Sequence, residues 1–334
     1  MFKLFCKYLN IKSIQTVILI CFLAVFITKT GNARQNSTST DSSHYQFWYS
    51  DLDARSTALA NAVIADPITV SGLYSNPALI ALNTLSTKAM INSIYNKSKN
   101  IAVENITVPV KLAPNKNMII GATFHHQVKP DSRLSDYSSL YFNQYTLDVG
   151  YGQSLIEDVY VGLNIRSYMG VTESTTTWSG DASLGIVYTP SPLVSYGAVY
   201  RGTGYQNHRI GHGIIYYRTV NDDITRMETV KLPQRLEIGA TLRFPSIREY
   251  PNFVLSFSNE KLFGEEGLVY RGGLEVYIKD IFRLRGGYFH SIPIQGSRIG
   301  FGLLLDPVKV DYTFSINNLD RSGQTHQMSI SLNF

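Results

Sequence analysis

The 334-residue sequence has few cysteines, only two tryptophans and, beyond its N-terminal segment, no long apolar run. Both cysteines, Cys6 and Cys21, lie in that segment, so the rest of the chain has no thiol. This excludes a disulfide framework and thiol catalysis for the remaining chain. No later stretch approaches the roughly 18 consecutive apolar residues of a spanning helix, which excludes a bundle of membrane helices.

The N-terminal segment has the order of a secretory signal peptide. Three lysines precede an unbroken apolar run, residues 17–27, and a small-residue site that ends at Ala33 follows it. Because the run is shorter than the ~20 residues that span a membrane, we predict a signal peptide over residues 1–33, cleaved after Ala33. An uncleaved N-terminal anchor is the alternative.

Loss of this segment would also change the charge of the chain. The segment contains four lysines and no acidic residue, so the formal charge would fall from +5 to +1. The pI of about 9.0 for the whole sequence then says little about the processed protein. Nucleic acid is therefore not an expected partner.

Apolar and polar residues alternate strictly over the last ten residues. Apolar side chains occupy one parity and polar side chains the other, as in a barrel strand that faces lipid outside and water inside. An aromatic residue at the last position resembles the terminal signal that the barrel assembly machinery reads during insertion. We predict that this assembly signal consists of Met328, Ile330, Leu332 and Phe334.

The same alternation recurs upstream, and there charged residues share the polar parity. An arginine on the lipid face near the membrane centre would cost ~2–4 kcal/mol, so these charges are expected to point into the lumen. Most of them are interpreted as structural ladders between strands, although their positive excess could favour anions. The predicted lumen-facing residues are Arg166, Arg235, Glu237, Arg243, Arg271, Glu275, Arg283, Arg285, Lys309 and Asp311.

These patterns predict an all-β fold, a transmembrane antiparallel β-barrel in the outer membrane of a Gram-negative bacterium. A soluble β-sandwich would show the same periodicity, but the signal peptide, the segment lengths near ten residues and the abundant tyrosines favour the barrel. Strand candidates occur from residue 88 to residue 334. Because bacterial barrels have even strand numbers, we predict about 14 strands. Sixteen are possible if Arg226 to Lys231 also pairs.

The residues before the barrel divide into two parts. Residues 34–52 are polar and rich in Ser and Thr, and we expect them to be disordered. Residues 53–87 contain several alanines and the sequence Asn76-Pro77-Ala78, in which Asn76 could cap a helix that begins with Pro77. We predict a small, partly helical hatch inside the lumen, with a periplasmic arm as the alternative.

The pair Ala54-Arg55, followed by Asn76-Pro77-Ala78, resembles the hatch of FadL-like barrels, including the PorV and PorQ proteins of type IX secretion. The C-terminal third is similar to PorV-like proteins in the order of its short motifs, which are Leu232-Pro233, Arg271-Gly272-Gly273-Leu274-Glu275, Arg285-Gly286-Gly287-Tyr288, Asp311-Tyr312-Thr313-Phe314 and Thr325-His326-Gln327-Met328-Ser329. The chain departs from the family at Ala58 to Asn61 and at Leu79, where glycines are usual. These departures favour a PorQ-like or undefined member over PorV.

This resemblance implies a non-catalytic role in type IX secretion, or in the handling of secreted proteins at the outer membrane. The implied partners are outer-membrane lipid, the barrel assembly machinery, and secretion proteins or secreted cargo. The alternative function is FadL-like passive transport of hydrophobic small molecules. A third possibility, an outer-membrane hydrolase, ranks far below both.

The search for chemistry in the sequence supports no enzyme. His208 and His212 are four residues apart, but their glycine-rich surroundings favour a strand or loop over a metal-binding helix. No nucleophile stands at a diagnostic spacing from a base, so we predict no catalytic residue, no metal and no cofactor. Four glycines in the C-terminal strands are expected to mark a bulge or a close approach by the hatch, namely Gly286, Gly287, Gly300 and Gly302.

Overall fold

The computed structural model describes fifteen stretches of the chain. The predicted signal peptide and all of the predicted polar segment except Leu52 lie outside them. The described residues are 52–67, 71–82, 87–96, 101–113, 116–127, 143–171, 176–202, 212–218, 225–231, 234–244, 253–263, 267–278, 281–291, 295–317 and 324–333.

Short helices precede a long series of strands. The helices are α1 (Ala54–Ala58), a 3-10 helix (Ser71–Leu73) and α2 (Leu79–Leu82). The strands are β1 (Thr87–Asn96), β2 (Ile101–Ala113), β3 (Lys116–Gln127), β4 (Asn143–Ile156), β5 (Val159–Val171), β6 (Thr176–Ser191), β7 (Val194–Arg201), β8 (His212–Arg218), β9 (Thr225–Lys231), β10 (Arg235–Phe244), β11 (Phe253–Leu262), β12 (Val269–Ile278), β13 (Phe282–His290), β14 (Gln295–Leu305), β15 (Val308–Asn317) and β16 (Gln324–Asn333).

Fourteen of these strands close into one antiparallel barrel. β1 pairs with β16, which closes the wall, and β7 pairs directly with β10. β8 and β9 pair only with each other, as a separate two-stranded sheet. The predicted barrel of about 14 strands is therefore confirmed, and the 16-strand alternative is wrong because β9 does not join the wall.

The barrel has two distinguishable ends. At the end where β1 begins and β16 finishes, which we call the terminal rim, β4–β5, β6–β7 and β14–β15 are joined by two-residue turns. Asp158 has a positive φ of 63° in the first of these turns. The opposite end, where the β8–β9 hairpin lies between β7 and β10, is called the hairpin rim.

The side chains of the wall alternate between two environments. On β1, Ile91 is 54% exposed, whereas its neighbour Asn92 is buried. The same alternation runs along the other wall strands, with apolar residues on the outer face and mostly polar residues on the inner face. Aromatic side chains on the outer face pack near both rims, for example Phe124 on Tyr145 and Phe244 on Phe253.

No helix in the described part of the chain is both long and apolar enough to cross a membrane.

Candidate functional site

The described residues 52–67 and 71–82, called the hatch below, lie inside the lumen. α1 packs against β13 to β16, and α2 packs against β3 to β5. Leu73 and Ile80 join an apolar cluster with Leu52 and with inward-facing residues of β1 to β3. The burial of nearly every hatch side chain follows from this position, because the wall surrounds the hatch on all sides.

The hatch starts with a capped helical turn. The carboxylate of Asp53 accepts hydrogen bonds from the backbone N–H groups of Arg55 and Ser56, which satisfies donors that a helix start leaves free. Ala60 and Asn61 then adopt positive φ values of 55° and 61°, which end the helix and reverse the chain. As a result, the Arg55 side chain projects from a fixed turn towards β12.

The sequence Asn76-Pro77-Ala78 lies against β5, β6 and β7. Oδ1 of Asn76 accepts a hydrogen bond from the backbone N–H of Ala78 at 3.1 Å, the geometry of a helix cap. Nδ2 of Asn76 donates to the carbonyl of Ile64 at 2.8 Å and to that of Ile186 on the wall at 3.2 Å. This one side chain therefore joins two parts of the hatch to the barrel.

Glycines on the inner face allow the hatch backbone to approach the wall. A Cβ built at any of them would meet hatch atoms, in most cases closer than 3.0 Å. Several are direct register partners, such as Gly273 with Gly287, so they form continuous bands across neighbouring strands. This glycine girdle consists of Gly121, Gly150, Gly152, Gly162, Gly185, Gly197, Gly239, Gly273, Gly287 and Gly300.

The glycines singled out in the sequence therefore have different roles. Gly287 and Gly300 belong to the girdle, as expected for a close approach by the hatch. Gly302 leaves room for the Arg285 guanidinium and the Asp311 carboxylate. Gly286 contradicts the expectation, because it faces outward and a Cβ there would meet nothing within 4 Å.

Buried ion pairs fix the terminal-rim side of the hatch. Arg55 donates to both carboxylate oxygens of Glu275 and, at 2.7 Å, to Asp66. Arg285 donates to Glu275 and to Asp311, both at 2.7 Å, and Lys309 pairs with Asp311 at 2.8 Å. Burial by itself would lower the pKa of Arg55, but the two carboxylates outweigh burial and hold this pKa well above its ordinary value.

A second set of ion pairs lies on the hairpin-rim side. Arg201 donates to the backbone carbonyls of Tyr74 and Ser75 in the hatch and to Glu237 at 3.0 Å. Arg271 bridges Glu237 and Glu260. Burial, with a further contribution from Asp148, raises the pKa of Tyr74, so its hydroxyl stays neutral.

All ten predicted lumen-facing residues lie on the inner face. Arg166 pairs with Asp148, Arg235 pairs with Glu260, and Arg243 donates to Ser195 Oγ at 3.0 Å. The structure divides the ten into the two sets on either side of the hatch. The hairpin-rim set is Arg166, Arg235, Glu237 and Arg271, and the terminal-rim set is Arg243, Glu275, Arg283, Arg285, Lys309 and Asp311.

The predicted terminal signal lies on the outer face of β16. Met328 is exposed, and Ile330 and Leu332 are partly exposed, while Ser329 and Ser331 between them are buried. Phe334 lies outside the described residues.

Several interior residues were missed in the sequence. Arg55 was noted only as part of the resemblance to a hatch, and no periodic pattern indicated its ion pairs. The alternation along the strands could have identified four of them, because each lies at the alternate positions that small or polar residues of its strand occupy. These four are Asp148, Asp181, Arg201 and Glu260. Within the described stretches, no group of three or more His, Cys, Asp or Glu side chains could hold a metal ion.

The closed 14-stranded antiparallel barrel with a hatch in its lumen shares its fold with solved toluene transporters and a FadL homologue. The solved toluene transporter TbuX of Ralstonia pickettii matches with a TM-score of 0.60 at 11% identity, over 86% of this chain and 100% of that one. The toluene transporter TodX of Pseudomonas putida matches with a TM-score of 0.55 at 11% identity, over 79% and 94%. A FadL homologue of Pseudomonas aeruginosa gives a TM-score of 0.53 at 10% identity, over 84% and 98%.

At sequence identities this low, the structural similarity establishes the fold and does not identify a ligand. No family model and no curated protein matches the sequence. These three solved structures are two transporters and a FadL homologue, and they do not support the finer assignment to PorV or PorQ proteins.

Proposed function

We propose that the protein is an outer-membrane barrel through which small hydrophobic molecules cross passively, with the hatch closing the lumen in the conformation described here. The observation that carries this proposal is a set of apolar side chains on a mostly polar inner face, which we call the apolar strip. It consists of Ile94 on β1, Val103 on β2 and Ile119 on β3, which pack against hatch residues. The similarity in fold to two toluene transporters supports the same function.

The apolar strip is unusual because the neighbouring inward positions on the same strands are Asn92, Asn105, Thr107 and Thr123. An apolar solute that displaces hatch atoms from the strip would gain about 0.8 kcal/mol for each methylene-sized group it covers. The strip extends from near the hairpin rim to the level of the hatch, since Ile94 and Val103 are register partners close to that rim. Asn105 and Thr107 interrupt the strip on β2, so it offers a hydrophobic solute apolar contacts at two levels of the lumen, near the hairpin rim and beside the hatch.

Replacing Ile94 by asparagine is expected to slow uptake of toluene at least about fourfold, the factor that corresponds to one lost methylene contact. The test measures initial rates of radiolabelled toluene uptake in cells that carry equal amounts of folded barrel and no other hydrocarbon transporter. Ile94→Val is the matched control and should retain most of the rate. Equal rates for Ile94→Asn and the unchanged protein would remove the basis of the proposal.

We place the barrel in the outer membrane with the terminal rim towards the periplasm, because short turns are typical of the periplasmic side. Ile299, at the middle of β14 and 66% exposed, would then contact lipid. Changing Ile299 to arginine should lower the free energy of unfolding in phospholipid vesicles by ~2–4 kcal/mol. Urea titration measures this change, with Ile299→Val as control, and equal unfolding free energies for the two variants would argue against contact with lipid.

Met328, Ile330 and Leu332 would face the assembly machinery during insertion.

A second candidate function is the type IX secretion role implied by the resemblance to PorV and PorQ proteins. The observation that favours it is the firm attachment of the hatch, which suits a barrel that acts as a binding scaffold for secretion proteins or secreted cargo. Deletion of the gene should then leave secreted cargo trapped in the periplasm. Normal secretion after deletion would eliminate this candidate and leave transport.

A further inference from the structure

Three arginines and Tyr277 lie on the terminal-rim side of the hatch. Arg243 and Tyr277 are the next-to-last residues of β10 and β12, and Arg283 is the second residue of β13, so all three lie close to that rim. The Arg283 guanidinium stacks over the Tyr277 ring at 4.9 Å. The Tyr277 hydroxyl donates to Glu275 at 3.3 Å, and Arg55 and Arg283 also act on it electrostatically, while Arg243 interacts electrostatically with Asp66, Tyr277 and Arg55. We call Arg55, Arg243, Arg283 and Tyr277 the basic mouth.

The basic mouth has hydrogen-bond donors to spare. Among the described residues, Arg283 donates no hydrogen bond and forms no salt bridge; its guanidinium stacks on the Tyr277 ring, and Glu275 interacts with it electrostatically beyond salt-bridge distance. Arg243 donates to the carbonyl of Pro192 and to Ser195 Oγ, both uncharged. Nη1 of Arg55 is buried without an acceptor. Buried donors without partners are rare in folded proteins and call for an explanation such as a bound ion or water.

The nearby carboxylates do not balance this charge. Glu275 is shared by Arg55 and Arg285, and Asp311 is shared by Arg285 and Lys309. No carboxylate among the described residues forms a salt bridge with Arg243 or Arg283, although Asp66 interacts electrostatically with Arg243 and Glu275 with Arg283. The terminal-rim side of the lumen therefore has five cations against four acids, which are Arg55, Arg243, Arg283, Arg285 and Lys309 against Asp53, Asp66, Glu275 and Asp311.

We propose that the basic mouth binds an oxyanion, the carboxylate or phosphate group of a small acid, which enters from the terminal rim. Arg283 is the principal donor, because its whole planar fork is available and fits two oxygens of such a group. Arg243 contacts the same anion from the opposite side of Tyr277. This site goes beyond the proposed transport of hydrophobic molecules and does not depend on it.

The test is calorimetric titration of the purified full-length barrel, in non-ionic detergent at low ionic strength, with inorganic phosphate and separately with acetate. Saturable binding of at least one of the two anions is expected, and their relative affinities identify the preferred source of the oxyanion. Arg283→Gln should weaken this binding at least about tenfold, the loss expected for one charge-assisted pair of hydrogen bonds. Arg283→Lys keeps the positive charge but loses the planar pair of donors. Its affinity for the anion should therefore lie between those of the unchanged protein and Arg283→Gln.

Lys116→Gln is the matched control, because it removes one positive charge from an exposed position at the same rim, on β3. Its binding should stay within about twofold of the unchanged protein. Arg243→Gln gives an independent second variant if Arg283→Gln fails to fold, as judged by loss of heat-modifiable electrophoretic mobility. No saturable heat with either anion, or equal affinity in a folded arginine variant, would overturn the proposal. Neither result would affect the toluene experiment, since toluene has no charge.

Discussion

Glu275→Gln is expected to lower the free energy of unfolding by about 3–5 kcal/mol, the usual loss when one partner of a buried ion pair is removed. Glu275 is fully buried and receives hydrogen bonds from Arg55, Arg285 and Tyr277. A neutral amide at this position would leave the buried guanidinium groups of Arg55 and Arg285 without the negative charge that balances them. Urea titration in detergent micelles measures the loss, and ion currents through planar bilayers test whether the hatch also loosens.

Glu157→Gln is the appropriate comparison, since Glu157 is exposed in the turn between β4 and β5 and should change stability by less than about 0.5 kcal/mol. The double variant Arg55→Gln with Glu275→Gln should lose less than the sum of the single losses, because the two side chains contact each other. A loss below about 1 kcal/mol for Glu275→Gln would mean that the ion pairs do not hold the hatch in place.

The wall of the barrel was predictable because every strand repeats one simple physical choice. A residue that faces outward must be apolar and its neighbour need not be, so parity alone assigns Arg235 and Glu237 to the inner face. The same rule predicts the approximate strand number, while the signal peptide, the segment lengths and the abundant tyrosines favour a closed barrel over a sandwich. It fails at β8 and β9, because alternation does not tell a wall strand from a separate hairpin.

The partners of the inward charges could not be predicted in the same way. Arg55 and Glu275 are separated by 220 residues, and their contact depends on where the hatch turns inside the closed barrel. Arg166 has an inward acid on each adjacent strand, Asp148 and Asp181, and parity does not choose between them, while Arg285 pairs with Asp311 from two strands away. The apolar strip was missed for a related reason. Ile94 and Ile119 are apolar residues at inward positions, where polar residues are more common, and they pack against the hatch.

Gly162→Ala is expected to displace the Asn76-Pro77-Ala78 segment from the wall. A Cβ at residue 162 would overlap the backbone of Pro77 and Ala78, and backbone atoms cannot move aside as a flexible side chain can. Overpacking of this kind costs about 1–3 kcal/mol. Gly185→Ala should have a similar effect, because a Cβ there would overlap the Asn76 side chain. The measurements are urea unfolding and the rate at which added protease cleaves within residues 71–82.

The matched control is Gly286→Ala, which adds the same methyl group to a wall glycine where a Cβ meets nothing within 4 Å. Because alanine restricts the unfolded chain more than glycine does, this variant should be neutral or more stable by up to about 1 kcal/mol. Opposite signs for positions 162 and 286 would therefore separate contact with the hatch from any general effect of glycine on the strands. If both variants behave alike, the glycines serve the bending of the wall, and the hatch would have to be held by its ion pairs and the Asn76 hydrogen bonds alone.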